Sequence, residues 1–258
     1  MTKPSAGIDK MTDAPAGRSK RELSLLKRWY ALWPISAAIF LYPINNFPLR
    51  LLTIATVAAI WIGLLYFFRR RAIVRIVALI IAGSAVLFLI GPGRDYDADA
   101  LRRNYVGSLI GYQGTRYVWG GENSLGIDCS GLVRRGLIMA NYEQGFSTFN
   151  PRLVREGLSL WWHDCSARAL GDEYRQRTRF LFSAPGITAA DYTRLQPGDL
   201  AVTEDGIHVM AYLGAGQWIE ADPDVKRVIT LRVPGTNAWL SEPVRLVRWT
   251  KFERGVAK

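Results

Sequence analysis

Residues 117–131 read Tyr-Val-Trp-Gly-Gly-Glu-Asn-Ser-Leu-Gly-Ile-Asp-Cys-Ser-Gly and place a cysteine at the start of a helical pattern. Asp128 is an acceptable N-cap, and the run 129–140 that follows has an apolar stripe, with Arg134 and Arg135 on its other face. Cys129 therefore falls in the first helical turn, where the helix dipole and free backbone N–H groups favour a thiolate. The same N–H groups are well placed to stabilise an oxyanion on an attacked carbonyl.

A candidate partner for this cysteine lies far downstream, where residues 206–209 read Gly-Ile-His-Val inside a β pattern. A cysteine nucleophile needs a base beside it, because the thiolate rather than the thiol attacks. The chain has two cysteines and two histidines, so few other pairings are possible. We therefore predict that Cys129 and His208 act together.

The region after Leu195 has a β pattern, with strands predicted at 200–203, 207–213, 217–221, 227–233 and 244–249. The second and third of these form a hairpin around Gly214-Ala215-Gly216. If the turn centres on Gly214, His208 lies directly opposite Glu220 on the same face of the sheet. Glu220 would then hold the imidazole in the right tautomer and stabilise its imidazolium. A slip of one residue would put the two on opposite faces.

The charge of the chain is unevenly distributed. The 258 residues carry a net charge of +11, with twelve Lys and Arg against three Asp and Glu before Gly93, and twenty-one against nineteen from Gly93 onward. A nucleic-acid-binding protein usually carries its basic patch on the folded domain. Here the basic excess belongs to the N-terminal third, so no nucleic-acid partner is expected.

The N-terminal third reads as a membrane anchor. Residues 1–28 are predicted to be a basic, disordered tail, and residues 29–92 a transmembrane region of about three helices. Core helices are the alternative. However, three consecutive apolar segments separated by basic residues expose more apolar surface than the remaining chain can easily bury. A cleaved signal peptide also fits poorly, because the first segment lacks a small-x-small cleavage site and two more segments follow.

The basic flanks predict the orientation of this anchor. Lysines and arginines precede the first segment, and four arginines lie between the second and third segments: Arg69, Arg70, Arg71 and Arg75. Only Arg50 lies in the first connection. Because basic loops stay in the cytoplasm, the tail is expected inside and everything after Gly93 outside. This holds even if the first segment, which contains two prolines, does not span the membrane.

Residues 93–258 are predicted to form the catalytic domain, with an insertion or cover over the site around 141–190. Cys129 and Cys165 could pair in an oxidising compartment, although a disulfide would disable the nucleophile. The triplet 163–165, His-Asp-Cys, supplies too few ligands for a closed metal site. No metal and no cofactor are expected.

These motifs resemble the NlpC/P60 family of cysteine peptidases. The resemblance covers roughly residues 101–249 and rests on Tyr-Val-Trp-Gly-Gly at 117–121, Asp-Cys-Ser-Gly at 128–131, Leu-Gln-Pro-Gly-Asp-Leu at 195–200, and the histidine followed by Tyr-Leu-Gly at 212–214. It implies a papain-like α+β fold in which the helix carrying the cysteine packs on an antiparallel sheet. It also implies that Cys129 is the nucleophile, His208 the general base and acid, and Glu220 the residue that orients the histidine.

The same resemblance implies a substrate. Four side chains of the two N-terminal motifs are expected to contact it: Tyr117, Trp119, Asp128 and Ser130. The family typically cleaves bacterial cell-wall stem peptides, often between D-γ-glutamate and a diamino acid. The expected partners are therefore peptidoglycan stem peptides and the lipid bilayer, with the domain on the periplasmic or extracytoplasmic side of the bacterial inner membrane.

The chain departs from the family pattern in two ways. The third catalytic position is more often histidine than glutamate, and the cysteine and histidine are separated by 208 − 129 = 79 positions, which is long. Two alternatives to a peptidase stay open. One is a lipid or peptide acyltransferase on a Cys–His fold, and the other is a non-catalytic cell-wall-binding protein.

Overall fold

The computed structural model describes residues 19–253. The described part of the chain opens with three helices: α1 (Lys20–Leu41), α2 (Phe47–Phe67) and α3 (Ala72–Ile90). Residues 1–18 of the predicted tail lie outside the described residues, but residues 20–28 are helical, so that part of the prediction was wrong. The Ser19 side chain caps α1 by accepting a hydrogen bond from Glu22 N at 3.2 Å, which starts the helix before its apolar stretch.

Two of these helices, α2 and α3, are long and apolar enough to cross a membrane. The prediction of about three such helices is corrected to two within the described residues. α1 falls short because charged side chains, including Lys27 and Arg28, occupy its first half. It packs instead on α2, where the Trp29 indole N–H donates to the Ile60 carbonyl at 3.0 Å.

The domain that follows is α+β, as predicted. Its helices are α4 (Ala98–Ile110), α5 (Cys129–Ser147), α6 (Pro151–Trp162) and the short α7 (Ala167–Gly171). A small ladder of β1 (Glu122–Asn123) and β2 (Gly126–Ile127) precedes α5. The main sheet has the antiparallel order β3-β8-β4-β5-β6-β7. Its strands are β3 (Thr178–Ala184), β4 (Leu200–Thr203), β5 (Val209–Gly214), β6 (Gln217–Asp222), β7 (Arg227–Arg232) and β8 (Val244–Trp249).

The core lies on both faces of this sheet. Val209 and Ala211 of β5 join the cluster that contains α4 and α5, whereas Met210 and Tyr212 join a second cluster on the other face. This alternation follows from the two-residue period of a strand. The helix that begins with Cys129 is thereby held against the strands next to His208.

The predicted insertion around 141–190 is not a separate unit. Its first residues are the last turns of α5, and β3 is an edge strand paired with β8, so the boundaries were wrong. Of the helices in this range, α6 lies against the C-terminal end of α3. Arg155 of α6 donates to the carbonyl of Leu89 at 2.6 Å and to that of Gly91 at 2.9 Å. The surplus length thus joins the domain to the apolar helices.

Candidate active site

Cys129 is the first residue of α5, directly after its N-cap. Asp128 Oδ1 accepts a hydrogen bond from Gly131 N at 2.6 Å, and Oδ2 accepts one from Gly120 N at 2.7 Å. Asp128 is therefore the N-cap that its sequence predicts, and it also ties the helix to the preceding glycine loop. The cysteine is only 8% exposed. Its thiol lies 3.9 Å from the carbonyl oxygen of Ile207, the residue before His208.

His208 lies immediately before β5 rather than inside the strand. Thr203, at the end of β4, holds its backbone: Thr203 Oγ1 accepts from His208 N at 3.0 Å, and Thr203 N donates to His208 O at 3.1 Å. The imidazole is 2% exposed. Its Nε2 is 2.5 Å from Glu220 Oε2, which leaves Nδ1 as the nitrogen available to the thiol.

The predicted hairpin register was wrong. Tyr212 pairs with Trp218 rather than with Gly216, because Gly214 and Gln217 close a two-residue turn and a bulge follows at the next pair. Ala215 and Gly216 both have positive φ, at 51° and 71°, which this tight turn requires. Extending the ladder puts Glu220 opposite Met210, so His208 reaches Glu220 diagonally, a distance that long side chains can cover.

The electrostatics of His208 suit an ion pair with the thiol. Burial disfavours the imidazolium, but hydrogen bonds to Cys129 and Glu220 and their negative charges outweigh burial and raise the pKa of His208 to about 9. At neutral pH the histidine is thus protonated. The structure brings Cys129, His208 and Glu220 together, in an arrangement that can hold a thiolate beside an imidazolium.

Sequence reasoning missed two residues that contact this set. Asn237 Nδ2 donates to Glu220 Oε1 at 3.3 Å and to Asp222 Oδ2 at 3.0 Å. The indole of Trp239 stacks on the His208 ring. Both lie in the loop between β7 and β8, and no motif marks them. A tryptophan in a connecting loop, close to an asparagine, is the only signal that the sequence offers.

The four predicted substrate contacts have different surroundings. Tyr117 is half-buried, and burial, together with the charges of Cys129 and Asp128, raises its pKa to about 12. Trp119 is 83% exposed. Ser130 Oγ donates to Asp128 Oδ1 at 3.0 Å, and Asp128 itself is buried with both oxygens bonded. Asp128 thus organises the start of α5, and substrate contact by the four stays a prediction.

The remaining candidate group is the His-Asp-Cys triplet at 163–165. Cys129 and Cys165 are both free thiols. His163 Nδ1 is 3.0 Å from the Ser159 carbonyl oxygen, at the C-terminal end of α6. Within residues 19–253, no group of three or more His, Cys, Asp and Glu side chains is placed to hold a metal ion.

Comparison with known proteins adds a family match. The model of the NlpC/P60 family matches residues 114–248. Dipeptidyl-peptidase 6 of Lysinibacillus sphaericus is 37% identical over 65 residues, which is 25% of this chain and 22% of that protein. This chain therefore covers about a fifth of the length of that curated relative.

Two solved structures resemble the domain more distantly. One is NlpC2 of Trichomonas vaginalis, with 18% identity and a TM-score of 0.37 over 63% of this chain and 50% of that one. The other is the peptidoglycan hydrolase RipB of Mycobacterium tuberculosis, with 20% identity and a TM-score of 0.36 over 62% of this chain and 67% of that one.

Proposed function

The chain belongs to the NlpC/P60 family, whose members are cysteine peptidases and peptidoglycan hydrolases, and we propose that it is a membrane-anchored peptidase of peptidoglycan stem peptides. The observation that carries the proposal is the buried contact of Cys129, His208 and Glu220, with the pKa of His208 raised to about 9. A thiolate held beside an imidazolium is the form in which a cysteine attacks a carbonyl at neutral pH.

The chemical steps follow from this geometry. The Cys129 thiolate attacks the carbonyl carbon of the scissile amide, and backbone N–H groups in the first turn of α5 stabilise the oxyanion. The His208 imidazolium gives its proton to the leaving amine, and a thioester remains on Cys129. Neutral His208 then takes a proton from water, whose oxygen attacks the thioester. Collapse expels the Cys129 thiolate and releases the carboxylic acid, which gives its proton to solvent, and His208 remains as the imidazolium.

The proposed bond is the one between D-γ-glutamate and a diamino acid. Its support is the family resemblance, together with the closeness of Tyr117 to Cys129. Burial, together with the nearby charges of Cys129 and Asp128, raises the pKa of Tyr117 to about 12, and Trp119 offers an exposed indole on the same loop. We propose that these two side chains contact the stem peptide.

We also propose that the domain lies outside the cytoplasmic membrane. α2 and α3 are the two helices with the length and apolar composition to span a bilayer. The connection between them contains Arg69, Arg70 and Arg71, which the positive-inside rule assigns to the cytoplasm. The end of α3, and with it the domain, then lies on the outer side, where peptidoglycan is found.

The test uses the full chain in detergent micelles, incubated with isolated muropeptides and read by mass spectrometry. New peptide termini are expected with the wild type and with C165A, and are expected to vanish with C129A. C165A is the matched control, because it removes the other cysteine. Absence of cleavage, with acyl transfer from added phospholipid instead, would replace the peptidase with the acyltransferase alternative.

A further inference from the structure

We propose that Arg50, in the first turn of α2, is a positioning residue for the Cys129 nucleophile. Residues 42–46, the linker between α1 and α2, then form part of the catalytic unit. The role given to Cys129 here rests on the proposed function. The support comes from a buried ion-pair cluster and from a hydrogen-bonded path that joins residues 42–46 to the start of α5.

The Arg50 guanidinium is buried and its donors have defined acceptors. The side chain is 1% exposed, although it stands in an apolar helix. Nη2 donates to Asn45 O at 2.6 Å, Nε to Asn45 Oδ1 at 3.3 Å, and Nη1 to Trp162 O at 3.1 Å. An arginine used in this way fixes the relative position of three segments, because its planar fork is rigid.

The same guanidinium belongs to a cluster of two cations and two carboxylates. Arg50 Nη2 is 3.7 Å from a Glu122 oxygen and 3.5 Å from an Asp164 oxygen. Arg134 of α5 also pairs with both, at 3.1 Å from Glu122 and in close contact with Asp164. Arg50, Glu122 and Arg134 are at most 3% exposed. Removing one charge from such a cluster leaves its partner buried without compensation.

Backbone bonds then continue from the linker to the glycine loop. Asn45 N donates to Gly120 O at 3.3 Å, and Glu122 N donates to Pro43 O at 2.9 Å. The side-chain amide of Asn45 also donates to Glu122. The linker therefore forms a short ladder with the loop that contains the Trp-Gly-Gly motif.

The glycine loop in turn holds the residue before the nucleophile. Gly120 N donates to Asp128 Oδ2 at 2.7 Å, and Asp128 N donates to Gly121 O at 3.1 Å. The approach is tight, because a Cβ on Gly131 would lie 2.1 Å from Gly121 O. A shift of the loop must therefore move Asp128 and the first turn of α5, where Cys129 lies.

If Arg50 only held the apolar helices against the domain, any other arginine that joins them should matter equally for Cys129. The chain offers such an arginine as a control. Arg155 also joins the domain to an apolar helix, through the carbonyls of Leu89 and Gly91 at the end of α3. Its bonds do not involve the glycine loop. R155M therefore removes an anchor contact of the same chemical kind without touching the path to Cys129.

The experiment compares R50M, R50K and R155M in the full chain, each with C165A, in detergent micelles. The rate of Cys129 alkylation by iodoacetamide is measured against pH, since this reaction needs no peptide substrate. R50M is expected to react about tenfold more slowly at neutral pH, and its pH–rate profile is expected to move to higher pH. The tenfold loss is smaller than the about 10²-fold that a 1 Å misplacement can cost. R50K is expected between R50M and the wild type, and R155M within about twofold of wild type.

A folded R50M that reacts at the wild-type rate would overturn the proposal, and so would an equal loss in R155M. If R50M shows no cooperative unfolding transition, N45A decides, because it keeps the Arg50 charge but removes the side-chain bonds of Asn45 to Glu122 and to Arg50 Nε. N45A is expected to slow alkylation about threefold while it still unfolds cooperatively. A wild-type rate in N45A would then overturn the proposal. Failure of muropeptide cleavage would leave these alkylation results intact.

Discussion

The indole of Trp239 stacks on the imidazole of His208, with ring centroids 4.2 Å apart and planes inclined by 21°. Glu220 binds the same imidazole in its plane, with 2.5 Å between Nε2 and Oε2. The histidine is therefore held across its face by one residue and along its edge by another. An aromatic face also favours the protonated ring.

Replacing Trp239 should affect catalysis more than binding. We expect W239A to lower kcat about tenfold with little change in KM, because a loosely held imidazole delivers its proton less well. W239F should keep most of the activity, since it retains a ring over His208. Steady-state kinetics on a stem-peptide substrate measure both. A wild-type kcat in a folded W239A would contradict the role assigned to the stacking.

The Glu220 carboxylate should set the alkaline limit of activity. The active form has an imidazolium, whose pKa of about 9 predicts that activity falls as the pH rises through about 9. E220Q keeps the shape of the side chain but removes its charge, which lowers the pKa of His208. We therefore expect the alkaline limb of the kcat/KM profile to move to lower pH in E220Q. An unmoved limb would exclude Glu220 as the stabilising charge.

Folding stability should depend on pH through the same histidine. The pKa of His208 is raised from 6.5 to about 9, so its contribution to stability is fully present below about pH 6.5 and is lost as the pH rises through about 9. The unfolding free energy of wild type minus that of H208Q should fall by on the order of 3 kcal/mol across this window. Chemical denaturation at a series of pH values measures it, and a flat difference would contradict it.

A further buried ion pair joins β8 to the residue before β4. Arg248 donates from Nε and Nη2 to the two oxygens of Asp199, each at 2.7 Å, and Asp199 is 1% exposed. We expect R248M to lower the free energy of unfolding by about 3–5 kcal/mol, because it leaves the buried Asp199 carboxylate with a hydrogen bond from Gln196 N but without a cation. R245M is the matched control on the same strand. Its partner Asp172 is exposed, so its cost should stay below about 1 kcal/mol. Equal losses would refute the distinction.

Reporter fusions check the membrane orientation. Alkaline phosphatase, active only outside the cytoplasm, is expected to be active when fused after Lys258. Green fluorescent protein at the same position is expected to be dark if exported unfolded. A phosphatase fusion within the connection at 69–71 should be inactive. A fluorescent C-terminal green fluorescent protein together with an inactive C-terminal phosphatase would place the domain in the cytoplasm, the wrong side of the membrane for a cell-wall substrate.

Local sequence signals predicted much of the fold. α5 begins at Cys129, and β4 and β8 have the bounds expected of them. These elements are set by caps and by hydrophobic period, which act over one or two turns or a single strand. The helix predicted to end at residue 140 continues to Ser147, because packing against α6 extends it beyond its clear stripe.

The candidate site was only partly predictable for the same reason. The cysteine, the histidine and the glutamate stand in recognisable motifs, yet the predicted register was wrong, since a bulge and a two-residue turn decide which residues oppose each other. Arg134 was assigned to the face opposite the apolar stripe and is 2% exposed. Its burial depends on Glu122 and Asp164, which no helical period can indicate.

The sequence by itself determined the start of the nucleophile's helix, the succession of strands after residue 195 and the apolar character of α2 and α3, since each depends on neighbours within a short stretch. Tertiary structure alone decided that Trp239 covers His208, that Glu220 is reached diagonally and that Arg50 pairs with Glu122. These contacts join residues far apart in the chain. Their energy comes from burial and from charge compensation, which exist only once the domain and the linker have packed together.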